Sequence, residues 1–336
     1  MKVLVTGGGG FLGFALVKQL LAEGHEVLSY ARSRYEALEK LGVSQHQGNI
    51  TEYETLKIAL RGCEAVFHTA GKIGNWGTYA SFYETNVRGT ENLLKACSEL
   101  QVPYLIYTSS PSVVYNGSSE GKDERLPYPP KFDAYYPQTK AIAEQAVLKA
   151  NCESLRTCSL RPHLIWGPGD FHFLPSLIHR QSKGRLRLPS NKKYRIDTIY
   201  IDNAARAHLQ AFEVMRNNPD AVAGKAYFLS QDEPIGIREF FNLLLDTCGR
   251  PAVKKTISPQ FALFTGWLFQ HTFRLFNVQS EPPLTLFVAK HLASSHWYDI
   301  SAAKRDFGYV PKVSIEEGLK YLRAWIEENH PYHFLT

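Results

Sequence analysis

Short continuous apolar runs alternate along this chain with longer segments whose apolar residues recur every three or four positions. The first run, Val3-Leu4-Val5-Thr6, passes straight into Gly7-Gly8-Gly9-Gly10. After it, Phe11, Leu12, Ala15, Leu16, Leu20 and Leu21 keep helical spacing up to Gly24-His25. A run this short and apolar predicts a strand buried on both faces, and the change of period predicts a βαβ beginning. The alternation continues with a strand over Glu26–Tyr30, a third strand ending near Gln47-Gly48-Asn49, a helix over Glu52–Leu60 and a strand over Ala65–Thr69. A helix over Phe82–Leu100, a strand over Tyr104–Thr108, a helix over Tyr135–Ala150 and a strand over Leu155–Leu160 follow.

The stretch from Pro111 to Asp133 is rich in Pro, Gly and Ser and predicts a long irregular loop, a kind of segment that is more often functional than idle. Beyond Arg161-Pro162 the alternation loosens. Short elements over Leu174–Lys183, Ile196–Tyr200 and Ala226–Leu229 are separated by turn-rich pieces, and helices are expected over Ile237–Leu245 and Phe261–Phe276. Ser314-Ile315-Glu316-Glu317 is a capping box opening a last helix that runs to about Glu328. The pattern predicts an α/β protein: a Rossmann-type, doubly wound, mostly parallel sheet of about seven strands with a smaller C-terminal substrate domain. The expected division is a dinucleotide-binding domain over residues 1–165, with returning segments at about 196–230, and a substrate domain over 166–195 and 231–336.

Composition changes this picture little. A chain of 336 residues can bury a substantial core, and its formal charge of +6, with basic residues that read as scattered rather than blocked, argues only faintly for an acidic ligand and gives no indication of a nucleic-acid partner. Five cysteines, Cys63, Cys97, Cys152, Cys158 and Cys248, form no C-x-x-C pair and are odd in number, which suits a reduced, cytoplasmic setting. No stretch has the length and apolarity to span a bilayer, and the N-terminus enters the first strand without a signal peptide.

Gly7-x-x-Gly10-x-x-Gly13 sits where a buried strand turns into a helix. There the helix N-terminus favours a diphosphate, Gly10 allows close backbone approach, and Gly13 allows close helix–strand packing. At the end of the second strand, where an acid would hold the ribose hydroxyls of NAD, the chain has Tyr30-Ala31-Arg32-Ser33-Arg34. Without the acid a 2′-phosphate is not repelled, and the Arg32 guanidinium can pair with it, so NADP(H) is the expected cofactor. The alternative is that Arg32 and Arg34 are solvated loop charges. Asn49 is a candidate for the adenine amine through its side-chain carbonyl, or else a turn residue.

Tyr136 and Lys140 stand four residues apart on one helix face, and the strand before them delivers Thr108-Ser109-Ser110 at its carboxyl end, where α/β sheets place ligands. Tyr53 and Lys57 share the interval but have no such strand end upstream. A phenol, whose ordinary pKa is about 10, exchanges protons well near neutrality when a nearby cation lowers that value. Lys140 is expected to do this and to bind the nicotinamide ribose, with Ser110 holding a substrate carbonyl and Tyr136 protonating it as hydride arrives. Tyr135 lies off that face and reads as packing at the helix N-terminus.

The glycine turn, Asn86 in Asn-Val-Arg-Gly-Thr, Ser110, Tyr136 with Lys140, and Leu160-Arg161-Pro162 together resemble the extended short-chain dehydrogenase/reductases over nearly the whole chain. Within them the chain resembles the 3β-hydroxysteroid dehydrogenase branch, and more closely the bacterial 2-alkyl-3-oxoalkanoate reductases of long-chain olefin biosynthesis. The finer match rests on Val3 to Gly13, Tyr107 to Val113, Leu160 to Asp170, Tyr200 to Ala205, His296-Trp297-Tyr298 and Arg305 to Pro311. It implies a catalytic set of Ser110, Tyr136 and Lys140 with Asn86 in support. It also implies cofactor contacts from Gly7, Gly10, Phe11, Leu12, Gly13, Arg32, Asn49, Ile50, Ala70, Tyr136 and Lys140. The implied reaction is reduction by NADPH of a β-keto acid bearing two long alkyl chains. Two departures stand out: Asn49 occupies a position that is often aspartate, and Ser110 one where close relatives carry threonine.

Three alternatives remain at this level: an NAD(P)-dependent hydroxysteroid or sterol-carboxylate dehydrogenase, a nucleotide-sugar epimerase, and a non-catalytic NADP(H)-sensing protein. His163, His172 and His179 match no metal spacing, and no metal is expected. The aromatic stretch Phe261–Phe276 reads as a core helix, as a wall for alkyl chains, or as a contact with a membrane surface or partner protein. Lys183, Arg185, Arg187 and Arg195 are candidates for the substrate carboxylate or for a solvated edge. The expected partners are a lipophilic small molecule and further copies of the chain, with assembly among other enzymes of its pathway as a further candidate.

Overall fold

The computed structural model describes residues 1–189 and 194–330. Residues 190–193 and 331–336 of the expected substrate domain lie outside the described residues. Seven strands form the main sheet: β1 (Lys2–Thr6), β2 (Glu26–Ala31), β3 (Ser44–Gln47), β4 (Ala65–His68), β5 (Tyr104–Thr108), β6 (Arg156–Pro162) and β7 (Ala226–Leu229). Their order is β7-β6-β5-β4-β1-β2-β3, and every pairing is parallel. The order reverses between β1 and β4, so the carboxyl ends of those two strands open a crevice in which α/β sheets bind ligands.

Parallel strands need covering on both faces, and the period of two in β1 shows how this is done. Val3 and Val5 face one core together with Phe67 and Ile106, and Leu4 faces the other with Val66 and Leu105. The Phe11–Ala22 helix and a 17-residue helix, Ile201–Asn217, cover the first face. Helices Tyr53–Leu60, Gly89–Glu99 and Tyr135–Lys149 cover the second.

The Ile201–Asn217 helix is the main element that the sequence pattern missed. Its inner face is built from Ala204, Ala205, Ala207 and Ala211 with Leu209, Phe212 and Met215 as large anchors. The alanines let it lie close to the sheet and to the first helix, where Gln19 Nε2 donates to the Asp202 carbonyl at 3.0 Å.

Two other expectations need correction. The Pro111–Asp133 segment is not wholly irregular: after a short 3-10 turn it contributes a strand, Ser119–Lys122, to a second sheet with His296–Tyr298, Arg195–Ile196 and Ile235–Gly236. The helix expected over Phe82–Leu100 begins at Tyr79 and is interrupted by a π-helical turn, Glu84–Arg88, before it resumes at Gly89. The last helix, Ile315–Asn329, opens on the expected capping box, with Ser314 and Glu317 satisfying each other's backbone N–H groups.

Candidate functional site

The glycine turn is shaped by backbone collisions that any side chain would cause. Gly7 has a φ of +74° and lies against Ala70 beyond β4. A Cβ on Gly13 would stand 2.1 Å from the Gly7 carbonyl oxygen. Gly10 is the N-cap of the Phe11–Ala22 helix, and no side chain caps it. The first-turn N–H groups of that helix, those of Phe11 and Leu12 among them, therefore have no intrahelical acceptor and point toward the crevice. A dinucleotide diphosphate fits this cradle. The Leu12 side chain itself is buried in the core, and Ile50 packs against Gly89, so neither side chain is spread over an open surface.

Arg32, beyond β2, and Asn49, beyond β3, line one cavity of about 470 Å³ with Gln47, Gly48 and Glu52. Gln47 Nε2 donates to the Arg32 carbonyl at 2.9 Å, which fixes the backbone there, and among the described residues no acid pairs with the Arg32 guanidinium. Of the two readings of Asn49, the turn is visible: its side-chain oxygen accepts the Thr51 N–H at 3.2 Å.

At the carboxyl end of β5 the catalytic candidates meet. Lys140 Nζ donates to the Thr108 carbonyl at 2.6 Å and stands 4.1 Å above the centre of the Tyr107 ring. Ser110 caps the 3-10 turn, with its oxygen accepting the Ser112 N–H at 3.2 Å, and its hydroxyl also interacts with the Tyr136 phenol. Thr108 is held in turn by His208 of the Ile201–Asn217 helix. His208 Nδ1–H donates to the Ala204 carbonyl at 2.7 Å, leaving Nε2 to accept the Thr108 hydroxyl at 2.9 Å.

The electrostatics differ from the expectation at one point. Burial raises the Tyr136 phenol above its ordinary value, and the Ser110 hydroxyl is what opposes the rise. Lys140 does not depress it. Lys140 itself is pulled down to about 7 by burial, with the Glu144 carboxylate pulling the other way. A protonated phenol at neutral pH suits an acid that gives its proton to a developing alkoxide.

Glu144 was not singled out by sequence reasoning, although its position four residues beyond Lys140 continues the Tyr136–Lys140 row. It is fully buried and pairs with Arg161 at 2.6 Å, and it also accepts from Tyr128 and Ser159, each at 2.7 Å. These donors keep Glu144 ionised against its desolvation. The row on one helix thus reads phenol, ammonium, carboxylate from the crevice inward.

Asn86 sits in the π-helical turn, and its hydrogen-bonding atoms are occupied. Oδ1 accepts the Lys72 N–H at 2.7 Å, while Nδ2 donates to the Lys72 carbonyl at 3.0 Å and to Thr139 Oγ1 at 3.1 Å. It ties the loop after β4 to the helix that carries Tyr136 and Lys140. A second unforeseen group supports it. His68, at the end of β4, bridges Thr6 Oγ1 at 2.8 Å and Thr90 Oγ1 at 3.0 Å, and Thr90 donates to the Asn86 carbonyl at 2.7 Å. Burial holds His68 down to about 3, so it acts as a neutral strut.

Other candidates fall elsewhere. Lys57 is paired with Glu99 on the surface, which disposes of the Tyr53–Lys57 pair. His163 hydrogen-bonds His296 at 3.0 Å rather than meeting His172 and His179, and among the described residues no group of three or more His, Cys, Asp or Glu could hold a metal ion. Arg195 is turned onto the Pro234 carbonyl at 2.6 Å, and Lys183, Arg185 and Arg187 are exposed in and around the turn after the Phe173–Ser182 helix. Tyr135 packs as expected, edge-on to Tyr79 at 5.5 Å, with the Arg274 guanidinium 5.1 Å from its ring centre.

Comparison with known proteins agrees with this geometry. The model of the 3-beta hydroxysteroid dehydrogenase/isomerase family matches residues 4–259. The 2-alkyl-3-oxoalkanoate reductase of Stenotrophomonas maltophilia (strain K279a) is 48% identical over 328 residues, covering 96% of this chain and 99% of the relative. The 3 beta-hydroxysteroid dehydrogenase/Delta 5-->4-isomerase of Mycobacterium tuberculosis (strain ATCC 25618 / H37Rv) is 37% identical, covering 95% of this chain and 88% of that protein. In fold, the chain is similar to UDP-glucuronic acid 4-epimerase from Bacillus cereus in complex with NAD, with a TM-score of 0.74 at 22% identity over 98% of this chain and 99% of that one.

Proposed function

This chain belongs to the 3-beta hydroxysteroid dehydrogenase/isomerase family, and from that membership we propose that it reduces a 2-alkyl-3-oxoalkanoate to the 2-alkyl-3-hydroxyalkanoate with NADPH. The observation that carries the reading is the single row of Tyr136, Lys140 and Glu144 set beside Ser110, joined to near-full-length identity with the named reductases. The preference for NADP(H) over NAD(H) rests on Arg32 at a strand end without an acid. Residues 1–165 with the returning segment 196–230 would hold the cofactor, and 166–195 with 231–336 the substrate.

Bound in the cradle, the dinucleotide supplies the hydride. The residues do the rest. The Gly7–Gly13 turn and the helix N-terminus hold the diphosphate, and Arg32 meets the 2′-phosphate. Ser110 donates a hydrogen bond to the substrate ketone. Tyr136, kept protonated by burial, gives its proton to the ketone oxygen as charge develops there, and Lys140 steadies the phenolate left behind. Asn86 and His68 keep the loop after β4 and the Tyr136 helix in register.

The test follows NADPH oxidation with a 2-alkyl-3-oxo acid, a 3-ketosteroid and a nucleotide sugar side by side. Preference for the oxo acid is expected, and preference for the steroid would overturn the reading. A homo-oligomer, assembled with enzymes that supply the keto acid and consume the hydroxy acid, is part of the proposal and is checked by sedimentation velocity. Among the described residues no helix is long and apolar enough to cross a membrane.

A further inference from the structure

Eleven of the 38 Lys and Arg residues, and none of the 32 acidic ones, fall in two segments, Phe171 to Ile196 and Thr247 to Ser280. The rest of the chain carries 27 cations against 32 acids and is net negative. Basic residues are thus not scattered. The tertiary structure joins the two acid-free segments, because Leu188–Pro189 pairs in parallel with Thr256–Ile257 and Lys255 Nζ reaches the Gly184 carbonyl at 3.5 Å. This sets the exposed Lys183, Arg185, Arg187, Lys254 and Lys255 together, and among the described residues none of the five forms an ion pair. Arg180, at the border, pairs with Glu281.

The same second segment continues into the Pro259–Leu275 helix. It is not a core helix. Its inward face is the narrow stripe Ala262, Gly266 and Gln270, and Gly266 packs so tightly on the next helix that a Cβ would stand 2.9 Å from the Thr285 carbonyl oxygen. Outward lie Phe261, Phe264, Trp267, Leu268, Leu275 and, at the C-cap, Phe276, all between 42% and 79% exposed. Six large apolar side chains on one exposed element exceed what a solvated face needs. The far end of the helix reaches the active-site region: Phe273 contacts Trp76 edge-on at 6.1 Å, Trp76 Nε1 donates to the Val278 carbonyl at 3.1 Å, and Arg274 lies over Tyr135, the neighbour of Tyr136.

We propose that the Pro259–Leu275 helix and the basic strip at its N-terminal root form a docking surface for an anionic lipid bilayer. Apolar side chains enter the acyl boundary, the five free cations meet lipid phosphates, and the end bearing Phe273 and Arg274 brings Tyr135, the neighbour of Tyr136, toward the interface. The charge pattern selects this occupant, because cations with no ion-pair partner among the described residues flank the apolar face and complement anionic headgroups. Loading of the oxo acid from the bilayer rests on the proposed activity, whereas docking does not.

Cosedimentation with phosphatidylcholine vesicles, with and without phosphatidylglycerol, tests it in the absence of substrate and cofactor. The protein should bind the anionic vesicles roughly tenfold more than the neutral ones, and added salt should weaken the binding. Phe264→Asp with Trp267→Asp should abolish binding, and Lys254→Glu with Lys255→Glu should remove the preference for phosphatidylglycerol. Both variants should keep the wild-type melting temperature and turn over a short-chain, water-soluble 2-alkyl-3-oxo acid normally. No binding to anionic vesicles, or binding unchanged in both variants, overturns the proposal. So does an oligomer that dissociates on Phe264→Asp with Trp267→Asp while vesicles are ignored. A protein that docks but does not reduce the oxo acid would refute the assigned activity and leave the docking surface standing.

Discussion

Tyr136 and Lys140 are recognisable by spacing, but their protonation is set by neighbours that spacing does not reveal. Replacing Tyr136 with Phe should leave NADPH binding intact, measured by fluorescence titration, and lower kcat by about 10²- to 10⁴-fold, the range for a lost general acid. Because burial brings Lys140 down to about 7, kcat/KM should decline along an alkaline limb centred near that value as the ammonium is lost. Glu144→Gln removes the charge that favours the ammonium, so the limb should move to lower pH; an unmoved limb would separate Lys140 from it. The sign for stability follows from the same depression. The unfolded chain holds the proton up to the ordinary lysine range, so stability from this group is full above that range and is lost as pH falls to about 7. Glu144→Ala is a different experiment: it leaves Arg161, only 3% exposed, as an uncompensated buried charge, and should cost about 3–5 kcal/mol in urea denaturation.

At the scale of elements, the strand–glycine–helix unit was fully legible, since Gly13 is where a helix must touch a turn. Gly13→Ala should abolish cofactor binding in calorimetry, because the new methyl meets the Gly7 carbonyl oxygen, a backbone atom that cannot swing aside. The π-helical turn around Asn86 was not legible. A π turn keeps the composition of a helix, and the bonds that tie this one to its surroundings, from Asn86 to Lys72 and Thr139, are tertiary. The Ile201–Asn217 helix was missed although its apolar positions keep helical spacing, and what only the tertiary structure reveals is that it positions Thr108 through His208. Of the three readings of the Phe261–Phe276 stretch the core helix is the one that fails, because the small residues between the aromatics make the packed face.

At the scale of the molecule, the reversal of strand order between β1 and β4 puts the diphosphate cradle, the Arg32 cavity and the Ser110–Tyr136–Lys140 group along one edge of the sheet. A dinucleotide spanning that edge would meet Arg32 at its far end. Arg32→Ala should therefore weaken NADPH binding by roughly 10- to 100-fold, the range for a lost charge-assisted bond, with little change for NADH. Equal losses for both would place the 2′-phosphate elsewhere. By itself the sequence determined the seven strands of the main sheet, the glycine turn and the Tyr136–Lys140 pair, because these depend on residue period and on spacing within one element. Tertiary structure decided what faces what: Glu144 under Lys140, His68 under Asn86, Ser119–Lys122 beside His296–Tyr298, and two acid-free segments joined into one basic strip. Those relations cross long stretches of chain, and burial, the quantity that moves the acidity of Tyr136 and Lys140, exists only once the layers have closed over them.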